Sequence, residues 1–161
     1  MRLLCFDPGL TIGWCIFEPG EKGMKLEECG HLYDLEDLIR IIDYFDTYNS
    51  FSGDVVLNES FARGNSVVKE QIETLRLCGA IEALALDREF TYAQQYPAQR
   101  TGYVPIAKKM IKELGFGTLK ENHHAIDAIA HGLCYMDNNN IEWQKQWWMK
   151  ITFGGGIDGN A

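Results

Sequence analysis

Leu3-Leu4-Cys5-Phe6-Asp7-Pro8-Gly9-Leu10-Thr11-Ile12-Gly13-Trp14 runs from four apolar residues into a carboxylate and then straight into a turn. Leu3 to Asp7 reads as a short buried strand, Pro8-Gly9 breaks it, and Ile12 to Phe17 resumes as a second strand. The bend leaves Asp7 at a strand edge with no local cap to serve. An aspartate in such a place is most often a turn residue, so its meaning depends on what the rest of the chain brings to it.

Downstream, Gly20 and Gly23 mark a hairpin into a third strand, Met24 to Leu32, so three antiparallel strands open the domain. Leu35 to Tyr48 places Leu35, Leu38, Ile41, Ile42 and Phe45 on one helical face, with Asp34 positioned to cap its start. Val55-Val56-Leu57 suits a central strand covered on both faces, and Glu59 closes it. A carboxylate at the end of a buried strand is costly unless something pairs it.

Val67 to Leu86 predicts a long helix with two apolar stripes, Val68/Ile72/Leu75/Gly79 and Leu77/Ile81/Leu84. Two stripes imply two partners, either the sheet and a second subunit or neighbouring elements of the same chain; the reading puts Leu77 and Ile81 outermost. A fifth strand, Phe90 to Gln94, ends at Tyr96-Pro97-Ala98-Gln99. A basic amphipathic helix, Pro105 to Leu114, stops at Gly115-Phe116-Gly117, and His123 to Tyr135 forms a nearly apolar last helix. The pattern is α/β: a five-stranded mixed sheet with helices on both faces, one domain over residues 1–153, and a tail over 154–161 expected to be disordered.

The 161 residues suit one domain. No apolar run approaches the roughly 20 residues needed to cross a bilayer, and the N-terminus has no signal-peptide pattern, so a cytoplasmic location is expected, that of the host if the protein is phage-encoded. Cys5, Cys15, Cys29, Cys78 and Cys134 lack metal or disulfide spacing and read as buried reduced thiols. The net charge of −8 argues against a nucleic-acid partner, but its distribution does not: residues 60–125 hold 9 basic and 7 acidic side chains, against 4 and 12 in residues 1–59. Arg63, Lys69, Arg76, Arg100, Lys108, Lys109, Lys112 and Lys120 form either a mixed solvated surface or a DNA-facing patch.

His124 and Asp127, three apart on the last helix, project from one side. Alone they fit a structural hydrogen bond. With Asp7 and Glu59 they make a set of hard oxygen ligands plus one imidazole, which favours magnesium or manganese over zinc. His123 and His131 read as surface or packing residues.

Asp7-Pro8-Gly9-Leu10-Thr11-x-Gly13-Trp14, Glu59 closing its strand and His124-x-x-Asp127-Ala128 opening the last helix together resemble, in order and spacing over about residues 1–136, the active-site motifs of RuvC-type Holliday junction resolvases, members of the RNase H-like fold. Gly79, Tyr96-Pro97-Ala98-Gln99, Lys108 and Lys109 are similar to weaker family features. The resemblance implies a homodimeric, magnesium-dependent, structure-selective endonuclease of DNA recombination and repair, with manganese as an alternative ion. Such an enzyme nicks two strands of a four-way junction, leaving 5′-phosphate and 3′-hydroxyl ends. With two ions per active site, Asp7 would bridge both, Glu59 and Asp127 would complete their shells, and His124 would support the ion near the attacking water. Phe61 is similar to an aromatic that stacks at the junction centre, or else is a core aromatic. Arg63, Lys69, Arg76, Arg100, Lys108, Lys109 and Lys112 are the DNA-binding candidates.

The chain departs from the family in its acidic balance and in Tyr103-Val104-Pro105, where a small polar stretch is usual. A phage or organelle branch cutting branched DNA broadly would fit. Trp143, Trp147 and Trp148 lie outside the resemblance and read as packing. Two other readings are a non-catalytic junction-binding protein of this fold and a phosphate-loop domain, since D-P-G-L-T also looks like the first phosphate loop of actin and sugar-kinase-like ATPases.

Overall fold

The computed structural model describes residues 1–47, 53–60, 69–146 and 148–149, with backbone only at 69 and 70. Phe61, Arg63, the Lys69 side chain, Val67, Val68, Trp147 and the 154–161 tail lie outside the described residues.

The strands are β1 (Leu3–Asp7), β2 (Ile12–Gly20), β3 (Gly23–Leu32), β4 (Val55–Glu59) and β5 (Thr91–Gln95), in the sheet order β3-β2-β1-β4-β5. β1 pairs antiparallel with β2, and β2 with β3, while β4 lies parallel to both β1 and β5. The helices are α1 (Leu35–Thr47), α2 (Lys69–Asp87), α3 (Val104–Leu114) and α4 (His123–Asn138). Asp34 does cap α1, its Oδ1 accepting from the Asp37 N–H at 2.9 Å.

Alternation along the strands sorts the core into two layers. Leu3, Cys5, Phe17, Val55 and Leu57 meet Ile106 and Met110 of α3 and Ile129 and Leu133 of α4 on one face. Leu4, Phe6, Ile16 and Val56 meet Leu38, Ile42 and Phe45 of α1 and Ile81 and Ala85 of α2 on the other. β1 is wholly buried because it is covered on both sides, which is why it reads as an unbroken apolar run. Its start is pinned to that of β4 by Arg2, whose N–H donates to Asp54 Oδ1 at 2.6 Å and whose Nε and Nη2 donate to Asp54 Oδ2 at 2.9 and 2.7 Å.

One expectation needs correction and one needs extension. On α2, Ile81 is fully buried and Leu77 packs against the α1-side core, whereas Ile72 is 43% exposed and Gly79 is exposed. The outward stripe is therefore Ile72, Gly79, Ala83 and Leu86, because a helix apolar on two sides does not say by period alone which side meets the sheet. Tyr96-Pro97-Ala98-Gln99 ends β5 as expected and also opens a 3-10 helix over Pro97–Tyr103. It packs back onto α4, with the Cys134 thiol donating to the Gln99 carbonyl at 3.3 Å and the Tyr103 hydroxyl donating to Asp137.

Two glycines let α4 sit close to the sheet. A Cβ on Gly13 would lie 2.1 Å from the His124 carbonyl oxygen, and one on Gly132 would lie 2.5 Å from the Phe17 ring. Trp143 and Trp148 are buried in the same core layer as α4. All five cysteines are free, four buried and Cys29 half-buried.

Candidate active site

Strand register lays one row of residues across the whole sheet. Asp7 lies opposite Gly13, Gly13 opposite His31, and Glu59 opposite Gln95. Asp7 and Glu59 each follow the paired Phe6 and Asn58, so they are neighbours at the ends of parallel strands. Because side chains alternate, this row shares its face with Cys5 and Leu57, the face that α4 covers. His124, Asp127 and His131 fall at i, i+3 and i+7 on α4, a single stripe laid across the row.

Asp7 and Glu59 come together with His131, one donor atom of each lying within 4.8 Å of the others. His131 Nε2 is 2.6 Å from Glu59 Oε2, and its Nδ1 is 3.0 Å from the side-chain amide of Gln95. That amide is oriented by its surroundings: its oxygen accepts from the Tyr135 N–H at 3.1 Å, so its nitrogen donates to the His131 carbonyl and to Nδ1. The Nδ1 lone pair is thus occupied, and Nε2 is the nitrogen that carries a proton to Glu59. His124 Nδ1 lies 3.4 Å from Asp7 Oδ2. Asp127 joins through Arg100, whose Nη2 is 3.1 Å from Asp127 Oδ2 and whose Nε is 3.3 Å from Glu59 Oε2.

The electrostatics are uneven. Burial, then the charges of Glu59 and Asp127, push Asp7 up to about 7 against the pull of Arg100. Burial also pushes Glu59 up, but hydrogen bonding by His131 and the guanidinium of Arg100 outweigh it and hold Glu59 below the usual carboxylate range. In this pair the proton rests on Asp7. Burial and the neighbouring His123 ring lower His124, leaving its imidazole neutral and its lone pair available. Three carboxylates and a neutral imidazole are donors suited to a hard divalent cation, and a cation beside Asp7 would relieve the repulsion that keeps it protonated.

Sequence reading passed over His131 and Gln95. His131 is fully buried, as a packing residue would be, yet both its ring nitrogens are committed to the cluster. The signal was the i+7 spacing from His124, masked by apolar neighbours. Arg100, read as a DNA contact, lies in this DNA-free structure between two site carboxylates. Among the other basic candidates, Arg76, Lys108 and Lys112 are exposed, while Lys109 pairs with Glu113 at 2.8 Å.

No family model and no curated protein matches this sequence. Solved structures do. The fold is similar to that of T. thermophilus RuvC in complex with Holliday junction substrate, with a TM-score of 0.61 and 15% identity over 88% of this chain and 98% of that one. It is also similar to the fowlpox virus resolvase in complex with Holliday junction DNA, with a TM-score of 0.58 and 13% identity over 86% and 99%. The yeast mitochondrial Holliday junction resolvase gives a TM-score of 0.52 and 12% identity over 83% and 77%. With its sheet order, the helices on both faces and these neighbours together, the chain has the RNase H-like fold in the form found in RuvC-type Holliday junction resolvases.

Proposed function

We propose that the protein is a structure-selective endodeoxyribonuclease that resolves four-way DNA junctions; the observation that carries this reading is the row itself, Asp7 and Glu59 on adjacent parallel strands with Asp127 and His124 laid over them by α4. Asp7, Glu59, Asp127 and His124 would hold magnesium or manganese, two ions per site, with His131 fixing Glu59. When bound, such ions lower the pKa of water and stabilise the leaving oxygen of a phosphodiester, so that hydrolysis leaves 5′-phosphate and 3′-hydroxyl ends. The chain's own part is positional. Asp7 would give up its proton to accept an ion, while His131 keeps one Glu59 oxygen in a fixed direction and the His124 ring lies beside Asp7. Arg76, Lys108 and Lys112 supply exposed positive charge for DNA backbone.

Cutting two strands symmetrically calls for two sites, and the outward apolar stripe of α2 is the surface offered for a homodimer. The test is incubation with a labelled immobile four-way junction and a matched linear duplex, with magnesium or with chelator. Paired nicks on the junction alone, and only with metal, are expected. Junction binding without cleavage under every metal condition would replace this reading with that of a non-catalytic junction-binding protein.

A further inference from the structure

Arg100 occupies an unusual place for a DNA-contacting arginine. Its side chain is 21% exposed and one guanidinium spans Glu59 on β4 and Asp127 on α4, two carboxylates with no other shared partner among the described residues. It arrives there because the 3-10 helix after β5 folds back over α4. Glu59 Oε2, the oxygen it reaches, also accepts from His131 Nε2. A divalent cation coordinates carboxylate oxygens at about 2.0–2.6 Å and would need the lone pairs and the space this fork holds. Two cations so close repel strongly in a partly buried site.

We propose that Arg100 is the internal counter-ion of the carboxylate cluster, bridging Glu59 and Asp127 until a divalent cation enters and then withdrawing to bind a phosphate of the DNA. The inference rests on the metal-dependent reading above. The geometry favours it: one guanidinium faces both Glu59 and Asp127 and offsets part of the negative charge these carboxylates bring to the site. The exit is available, since the side chain is long and partly exposed, and a released guanidinium fork matches phosphate geometry. Arg100 would then set the metal affinity and make phosphate capture depend on metal loading.

The experiment measures manganese binding to the DNA-free protein, from the loss of the free-ion paramagnetic resonance signal, for wild type, Arg100→Gln and Arg100→Lys. Removing the competitor should tighten manganese binding about tenfold in Arg100→Gln, with Arg100→Lys between, since an ammonium lacks the fork. Junction binding is measured in parallel with chelator and with calcium. Arg100→Gln should bind like wild type in chelator, where Arg100 is tied up, and more weakly than wild type in calcium.

Manganese affinity equal to or weaker than wild type in Arg100→Gln overturns the proposal, as does an equal loss of junction binding with and without calcium. If that variant fails to fold by thermal melt, Arg100→Lys decides alone: tighter manganese binding supports the proposal, and unchanged or weaker binding overturns it. A wild type that binds no manganese, and is indistinguishable from Asp7→Asn, overturns the metal-dependent reading itself.

Discussion

Asp7→Asn should make the protein more stable above about pH 4, with the full gain reached at neutral to alkaline pH. Asp7 is pushed from 3.8 up to about 7 in the folded state. Below 3.8 the carboxyl is protonated whether the chain is folded or unfolded, so its burial carries no electrostatic cost. As pH rises through this window the unfolded chain ionises first, folding comes to require a proton, and stability falls until about pH 7, above which the cost is constant. At about 1.4 kcal/mol per pH unit, the gap between 3.8 and about 7 amounts to about 4 kcal/mol. Asparagine has the shape of the protonated acid without the charge and loses one acceptor, so a gain of about 2–4 kcal/mol is expected at pH 8, shrinking towards zero near pH 4. Glu59 has the opposite sign: its lowered value stabilises the fold above about pH 4.5 and is lost in acid. Urea unfolding of both proteins in chelator at pH 4 and pH 8 measures the effect. A variant no more stable than wild type at pH 8, or a gain of equal size at both pH values, would refute the reasoning. Added magnesium should stabilise wild type and leave Asp7→Asn unmoved.

Three further outcomes are expected. Asp54→Ala leaves the Arg2 guanidinium buried without its carboxylate and should cost about 3–5 kcal/mol in urea unfolding; a loss below about 1 kcal/mol would show that water reaches Arg2. Gly13→Ala drives a methyl into the His124 carbonyl, so α4 must lift, costing about 1–3 kcal/mol in a melt and about 100-fold in junction cutting if the row is the catalytic site. Ile72→Lys should give a folded monomer by sedimentation, whereas Ile81→Lys should unfold; a folded Ile81→Lys monomer would reverse the assignment of the two stripes of α2.

The strands and helices were legible because their periods are plain: the apolar run ending at Asp7, the Val55–Leu57 run ending at Glu59, the capped face of α1. The orientation of α2 was not, since both its stripes are apolar and only the sheet decides which one is buried. Asp7, Glu59, His124 and Asp127 could be singled out because a charge beside an apolar run needs a reason. His131 could not, because a histidine among Ile129, Ala130 and Leu133 has packing reason enough, and its partners Glu59 and Gln95 come from strands far away in sequence. Arg100 was legible as a basic residue but not as a bridge, because the 3-10 helix that turns it inward follows from tertiary contacts of Gln99 and Tyr103 with α4.

The row across the sheet draws Asp7 from β1, Glu59 from β4 and His124, Asp127 and His131 from α4, separations of more than fifty and more than a hundred residues. Such distant contacts close late in folding, after shorter loops have formed. A chain emerging from the ribosome therefore carries two of its carboxylates long before the helix that completes the set. Until α4 is made and docked over Gly13, the chain has the two strand-end carboxylates without the helix that completes the row, so under the proposed function an unfinished or truncated product would be inactive.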